Sequence, residues 1–125
     1  MKRDMDLMRN ILLRIEEQSD VPPKKLHTDD FADLHKDLYV ISLHIDLMCD
    51  AGLVEIFDVN IEHDGFKDFA ISRLTLAGYE YLDAIRNRKV WVNVKKKIEV
   101  IGGATLDVIK QLAIKELSKE LGLGN

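Results

Sequence analysis

Ser-Leu-His-Ile-Asp-Leu-Met-Cys-Asp-Ala-Gly-Leu-Val-Glu, residues 42–55, is the stretch whose reading decides the fold. Leu38, Ile41, Ile45 and Met48 recur at steps of three and four, with Leu47 beside them. That spacing gives a helix over 37–50 one apolar stripe. Ala51 and Gly52 follow, and a helix that ends in a left-handed residue wants glycine there. Leu53 then opens a run that alternates apolar and polar residues, as a strand does.

Working outward, the runs 53–61 and 66–74 flank His63-Asp64-Gly65, a hairpin turn. Val54 and Ile56 on one side, and Phe69 and Ile71 on the other, alternate with polar residues as a half-buried ribbon should. Upstream, Met5, Met8, Leu12 and Ile15 mark an amphipathic helix that Asp4 can cap. The stretch 18–25, with Ser-Asp and Pro-Pro, reads as a turn, and 26–34 is open between a short helix and an extended piece near Phe31. Helical spacing returns over 74–87 and 90–101, Gly102-Gly103 breaks it, and Thr105 can cap a last helix. Helix, turn, uncertain segment, helix, hairpin and then helices is winged-helix order. The expected fold is therefore α+β and mainly helical: a helix-turn-helix with a two-stranded wing over residues 1–88. Residues 89–125 are expected to be a C-terminal helical extension packed on it, within one structural unit.

A chain of 125 residues with 46% hydrophobic and 32% charged content fits one globular domain that needs neither disulfide nor metal. Its single cysteine, Cys49, has no intramolecular partner, which suits a reducing compartment. The Met-Lys-Arg-Asp opening lacks the apolar run of a signal peptide, and no apolar segment approaches the roughly 20 residues that cross a bilayer. A cytoplasmic protein without membrane contact is the expectation. The net charge of −4 is unevenly spread: residues 29–68 hold eleven acids against two bases, whereas Arg86, Arg88, Lys89, Lys95, Lys96 and Lys97 run with no acid among them.

Residues 42–55 resemble the recognition helix and turn of bacterial winged-helix repressors, which commonly read Ser-Arg-His-Leu-Lys-Val-Leu-Arg-Glu-Ala-Gly-Leu-Val. Ser42, His44, Ala51, Gly52, Leu53 and Val54 stand on like positions. Arg73-Leu74-Thr75-Leu76-Ala77-Gly78 resembles the Leu-Thr-x-x-Gly opening of the helix after the wing. A resemblance over nearly the whole chain is carried by Met-Lys-Arg-Asp-Met-Asp-Leu at the start, the 44–55 block, Arg73-Leu74-Thr75, Leu82-Asp83-Ala84-Ile85-Arg86 with Trp91, Gly102-Gly103-Ala104 and Leu121-Gly122-Leu123. On these residues the chain is similar to domain-of-unknown-function family 2513. That resemblance implies a winged helix and a bacterial or prophage setting, and it brings no catalytic residues with it.

The chemistry of a DNA reader is missing where the repressor pattern puts it. Leu43, Asp46 and Cys49 replace its Arg, Lys and Arg, and the wing tip Glu62-His63-Asp64-Gly65 is acidic. Phosphate contacts supply most non-specific DNA affinity, so an acidic face repels the duplex. Tyr39, Leu43, Asp46, Cys49, Asp50, His63 and Asp64 are instead candidates for contact with a protein partner. For Leu43 two readings stand: an exposed centre for an apolar patch with Tyr39 and Cys49, or inward packing.

No enzyme is read here, and no cofactor. His27, His35, His44 and His63 lack metal-ligand spacing, and His44 is better placed for packing. Cys49 has no base on its helix face, and the carboxylates are scattered. In the basic segment Trp91, Val94 and Ile98 fall on one buried stripe, leaving the lysines in water or against acidic partners. The last helix has apolar residues over a wide arc, so Val108, Leu112 and Ile114 are candidates for self-association as a homodimer. The favoured function is a non-enzymatic module acting through an unknown protein partner. One variant has the acidic face occupying a host protein's nucleic-acid site. The alternative is a DNA-binding regulator that uses Arg86, Arg88, Lys89, Lys95, Lys96 and Lys97.

Overall fold

Asp4 and Asp37 start the two helices that frame the core. The Asp4 carboxylate accepts the Leu7 N–H at 3.0 Å and opens α1, Met5–Glu17. Asp37 accepts the Tyr39 N–H at 2.9 Å and opens α2, Leu38–Asp50. Each satisfies an amide that a helix N-terminus leaves without an internal partner. The computed structural model describes residues 1–18 and 24–123, so the turn expected over 18–25 lies largely outside the described residues.

Between these helices come β1, Leu26–His27, and a 3-10 helix, Thr28–Phe31. The segment left open in the sequence is thus extended first and helical next, and Phe31 is buried. After α2, Gly52 takes the left-handed conformation with φ +73°. The hairpin follows as β2, Val54–Ile61, and β3, Lys67–Leu74. The expected two-stranded wing is part of a three-stranded antiparallel sheet, ordered β1-β3-β2, because Leu26 and His27 pair with Ile71 and Ala70. Two opposed register shifts interrupt the β2–β3 ladder, between Glu55 and Ile56 and between Ile56 and Asp58.

Three helices complete the chain: α3, Leu76–Ile85; α4, Arg88–Ile101; and α5, Leu106–Glu120. Leu74, where the strand run 66–74 and the helical spacing 74–87 meet in the sequence, is the last residue of β3. The chain divides into two compact units, Met1–Tyr79 and Glu80–Asn125, with the division inside α3.

In the first unit Met8, Leu12, Ile41, Ile45, Met48, Leu53 and Leu74 are all buried. The apolar stripes of α1 and α2 therefore close on one core with the root of the hairpin, as their spacing requires. Leu38 departs from this pattern: it is 36% exposed, because it lies in the first turn of α2. In the second unit the buried side chains include Tyr81, Leu82, Ile85, Val90, Trp91, Val94, Ile109 and Ala113. Asn87 caps α4 through the Val90 N–H, Gly102 ends it with φ +83°, and Thr105 caps α5 through the Val108 N–H.

Helix α3 starts on a junction that explains the Thr75 and Gly78 spacing. The Thr75 N–H donates to the Leu53 carbonyl at 3.0 Å, and its hydroxyl donates to the Gly52 carbonyl at 2.5 Å. That same hydroxyl accepts the Gly78 N–H at 3.0 Å. Gly78 presses against the Leu53 backbone so closely that a Cβ there would overlap the Leu53 carbonyl. The glycine is required by close backbone approach, not by an unusual φ.

Candidate functional site

Helix α2 carries the candidate face. Ile41, Ser42, His44, Ile45 and Met48 point inward, and His44 is fully buried. Its Nε2 accepts the Asp4 N–H at 2.8 Å and its Nδ1 lies 2.7 Å from the Val40 carbonyl. The ring thereby ties the start of α1 to α2 and is structural. The opposite side of α2 presents Tyr39 and Leu43, 46% and 45% exposed, with half-buried Asp46, Leu47 and Cys49 and exposed Asp50. Leu43 therefore faces solvent; the inward-packing reading fails because Ser42 and His44 take the buried directions on either side of it.

The wing is latched to this helix. The Tyr39 hydroxyl donates to the Asp64 carboxylate at the wing tip, and the Tyr39 ring meets Phe66 edge-on, with centroids 5.1 Å apart. The Ser42 hydroxyl donates to the Lys67 carbonyl at 2.7 Å, and the Lys67 ammonium reaches Asp46 at 3.3 Å. Asp64 also accepts the Phe66 N–H at 3.1 Å. The Tyr39 hydrogen bond holds the Asp64 carboxyl below the usual carboxylate range, and the same bond raises the Tyr39 hydroxyl above its own. Ser42, Phe66 and Lys67 were not singled out as functional residues in the sequence, because none of them is unusual in type.

Charge on this face is acidic and only partly matched. Lys67 engages Asp46 and Arg73 engages Glu55 at 2.8 Å, whereas Asp50, Asp58 and Glu62 make no ion pair among the described residues. His63 and Asp64 are exposed at the tip. Alongside, β2 leaves Phe57, Val59 and Ile61 exposed at 61%, 40% and 62%. Val54, Phe69 and Ile71 are buried and Ile56 half-buried, as the alternation expects, whereas β2 from Phe57 onward is exposed. A signal was present: the apolar phase flips between Ile56 and Phe57, as it does where one extra residue enters a strand.

A family model described as hypothetical protein (DUF2513) matches residues 2–105. The chain belongs to the DUF2513 family. A relative from Haemophilus influenzae, described as an uncharacterized protein, is 37% identical over 122 residues, covering 97% of this chain and 99% of that protein. No solved structure matches the chain.

Three of the six cations in the basic segment of this DUF2513 member pair with its own carboxylates. In the second unit Arg86 pairs with Asp83 at 2.5 Å, Lys89 with Glu120 at 3.2 Å, and Lys97 with Glu116. Arg88 and Lys96 make no ion pair among the described residues, and Lys95 is half-buried. Trp91 is 3% exposed and so is unavailable for stacking on a base. Glu116 is the least exposed carboxylate of the unit, and the Lys97 hydrogen bond holds it below its ordinary value.

On α5, Val108 and Ile114 are each 43% exposed and Leu112 is half-buried, while Ile109 and Ala113 take the buried stripe. Ile114 lines a shallow groove of about 330 Å³ with Asp83, Ala84 and Leu117, which the Lys110–Glu80 pair at 3.5 Å borders. No helix among the described residues is long and apolar enough to cross a membrane. No group of three His, Cys, Asp or Glu among them is placed to hold a metal ion.

Proposed function

We propose that this DUF2513 chain is a non-enzymatic winged-helix module that works by protein–protein contact, through the outward side of α2 and the wing latched to it. A bacterial or prophage setting is part of this proposal, and the Haemophilus influenzae relative supports its bacterial half. The observation that carries the reading is the exposed side of α2. Leu43, Asp46 and Cys49 occupy the positions from which a repressor of this pattern would extend cations, and Leu43 is open to water. The neighbouring ammonium of Lys67 is engaged by Asp46. A duplex approaching this face would meet carboxylates, whereas a protein can cover Tyr39 and Leu43 and pair with the acids around them.

The alternative, DNA binding through residues 86–97, has less to draw on. Arg86, Lys89 and Lys97 are engaged by Asp83, Glu120 and Glu116. Each engaged cation contributes less to the counterion release that drives duplex binding.

Two measurements test the reading. Fluorescence anisotropy with duplex DNA near physiological salt should give a Kd weaker than about 10⁻⁴ M, the soft end of non-specific binding. A salt-sensitive, sub-micromolar complex, lost on changing Lys95, Lys96 and Lys97 to Glu but kept in Asp46→Asn, would give the function to the basic segment. Affinity capture from a bacterial host after nuclease treatment should retain a partner on the natural chain and lose it on Leu43→Lys. A partner held equally by both would overturn the α2 contact.

A further inference from the structure

The outer edge of β2 is the feature of the first unit that the α2 contact leaves unused. Strand β2 ends the sheet order β1-β3-β2, so one side of its backbone faces no strand among the described residues. Which residues offer that side follows from the ladder. In an antiparallel pair, hydrogen-bonded and non-hydrogen-bonded positions alternate. The Glu62 N–H donates to the Phe66 carbonyl at 2.8 Å, so that position is bonded. Ile61 opposite Lys67, and Val59 opposite Phe69, are then the non-bonded positions.

Two contacts agree independently. The Phe69 N–H turns away from β2 and donates to the Thr28 hydroxyl at 2.8 Å, and the Lys67 carbonyl is taken by Ser42. The N–H and C=O groups of Val59 and Ile61 therefore point off the sheet. The Val59 N–H finds the Asp58 carboxylate at 2.9 Å in place of a strand.

This edge has register shifts only at its root, between Glu55 and Asp58, and is regular from there to Ile61. It has no proline and no lysine, it runs for eight residues, and Val59 and Ile61 hold their side chains in solvent. Its side chains divide by face. Val59 and Ile61 lie on one, and Asp58, Asn60 and Glu62 on the other.

We propose that this edge accepts an extended segment of a partner protein as a fourth strand, and that the segment alternates apolar with basic residues. The proposal rests on the protein-contact reading and names how the partner is held. Apolar side chains of the added strand cover Val59 and Ile61. Basic side chains on its other face meet Asp58 and Glu62, which have no ion-pair partner among the described residues. A cation that takes the Asp58 carboxylate also frees the Val59 N–H for the incoming carbonyl. A second copy of β2 does not fit this description. It brings Asp58 and Glu62 and no base of its own, and like charges placed opposite one another in a ladder are destabilising. Strand addition draws affinity from main-chain hydrogen bonds and selectivity from alternate side chains, as both halves of the site require.

The probe is an acetylated, amidated decapeptide of alternating Lys and Val, titrated into the full chain. Binding should slow hydrogen exchange at the Val59 and Ile61 amides and weaken as salt rises. The same peptide N-methylated at alternate valines keeps its charge and side chains but loses the donors for the edge. It should bind about tenfold more weakly or worse, the loss expected for one or two net hydrogen bonds. Asp58→Asn with Glu62→Gln should lower affinity for the unmethylated probe. Val59→Pro should do the same, and proline is tolerated there because that N–H leaves the ladder. No binding at millimolar peptide, or equal binding of the methylated probe, overturns the proposal. If a captured partner survives Val59→Pro but is lost on Leu43→Lys, strand addition is overturned while the α2 contact stands.

Discussion

Gly78 shows how one residue joins sequence to fold. Its hydrogen lies against the Leu53 backbone, while Thr75 bonds both Leu53 and Gly52. The Leu-Thr-x-x-Gly spacing is thus the imprint of a helix start pressed onto the turn after α2. Gly78→Ala should cost about 3 kcal/mol or more, at the upper end of overpacking, since the obstructing atoms are main chain and cannot rotate aside. Chemical denaturation measures it; a loss below about 1 kcal/mol would mean that the junction gives way easily. His44 was equally legible, because a histidine between apolar helix positions is most simply a buried one that bonds locally. Leu43 was not, because a leucine's direction depends on which neighbours win the buried side. Ser42 wins it through the Lys67 carbonyl, a partner 25 residues away.

At the scale of elements, helices α1, α2, α4 and α5 could be read from their caps and stripes, and the hairpin from its turn. Strand β1 could not, since two residues carry no period and Leu26 is defined as strand only by Ile71. Nor could the ion pairs of the basic segment, because Glu116 and Glu120 meet Lys97 and Lys89 only once α4 and α5 pack. That packing has a pH signature. Glu116 is ordinarily a carboxyl of about 4.5 and is held lower by Lys97, with Lys119 adding to the effect. A lowered folded value contributes stability above the ordinary value, lost as pH falls through the lowered one. Glu116→Gln should therefore be less stable than the natural chain at pH 7, and the gap should close as pH falls through that lowered value. Thermal melts across pH 3–7 test this; a gap that persists unchanged in acid would assign the loss to packing instead.

For the molecule as a whole, the remaining question of assembly falls on α5. Val108 and Ile114 stay partly in water, giving up some of the roughly 1.5–3 kcal/mol that covering each would contribute. A symmetric pairing of two copies covers both without another partner. Sedimentation of the full chain at tens of micromolar should show a dimer, and the Leu112→Lys, Ile114→Lys variant a monomer. A monomeric natural chain would remove self-association from the account. The latch between α2 and the wing has a consequence in time as well as in space. Tyr39, Ser42 and Asp46 already fix the wing through Asp64 and Lys67, so a partner has no loop to wait for. Encounter should then be a single step whose observed rate climbs linearly with partner concentration, without the plateau that a slow rearrangement imposes. For a cationic partner the slope should fall with added salt, because the acids that draw it in are exposed and easily screened.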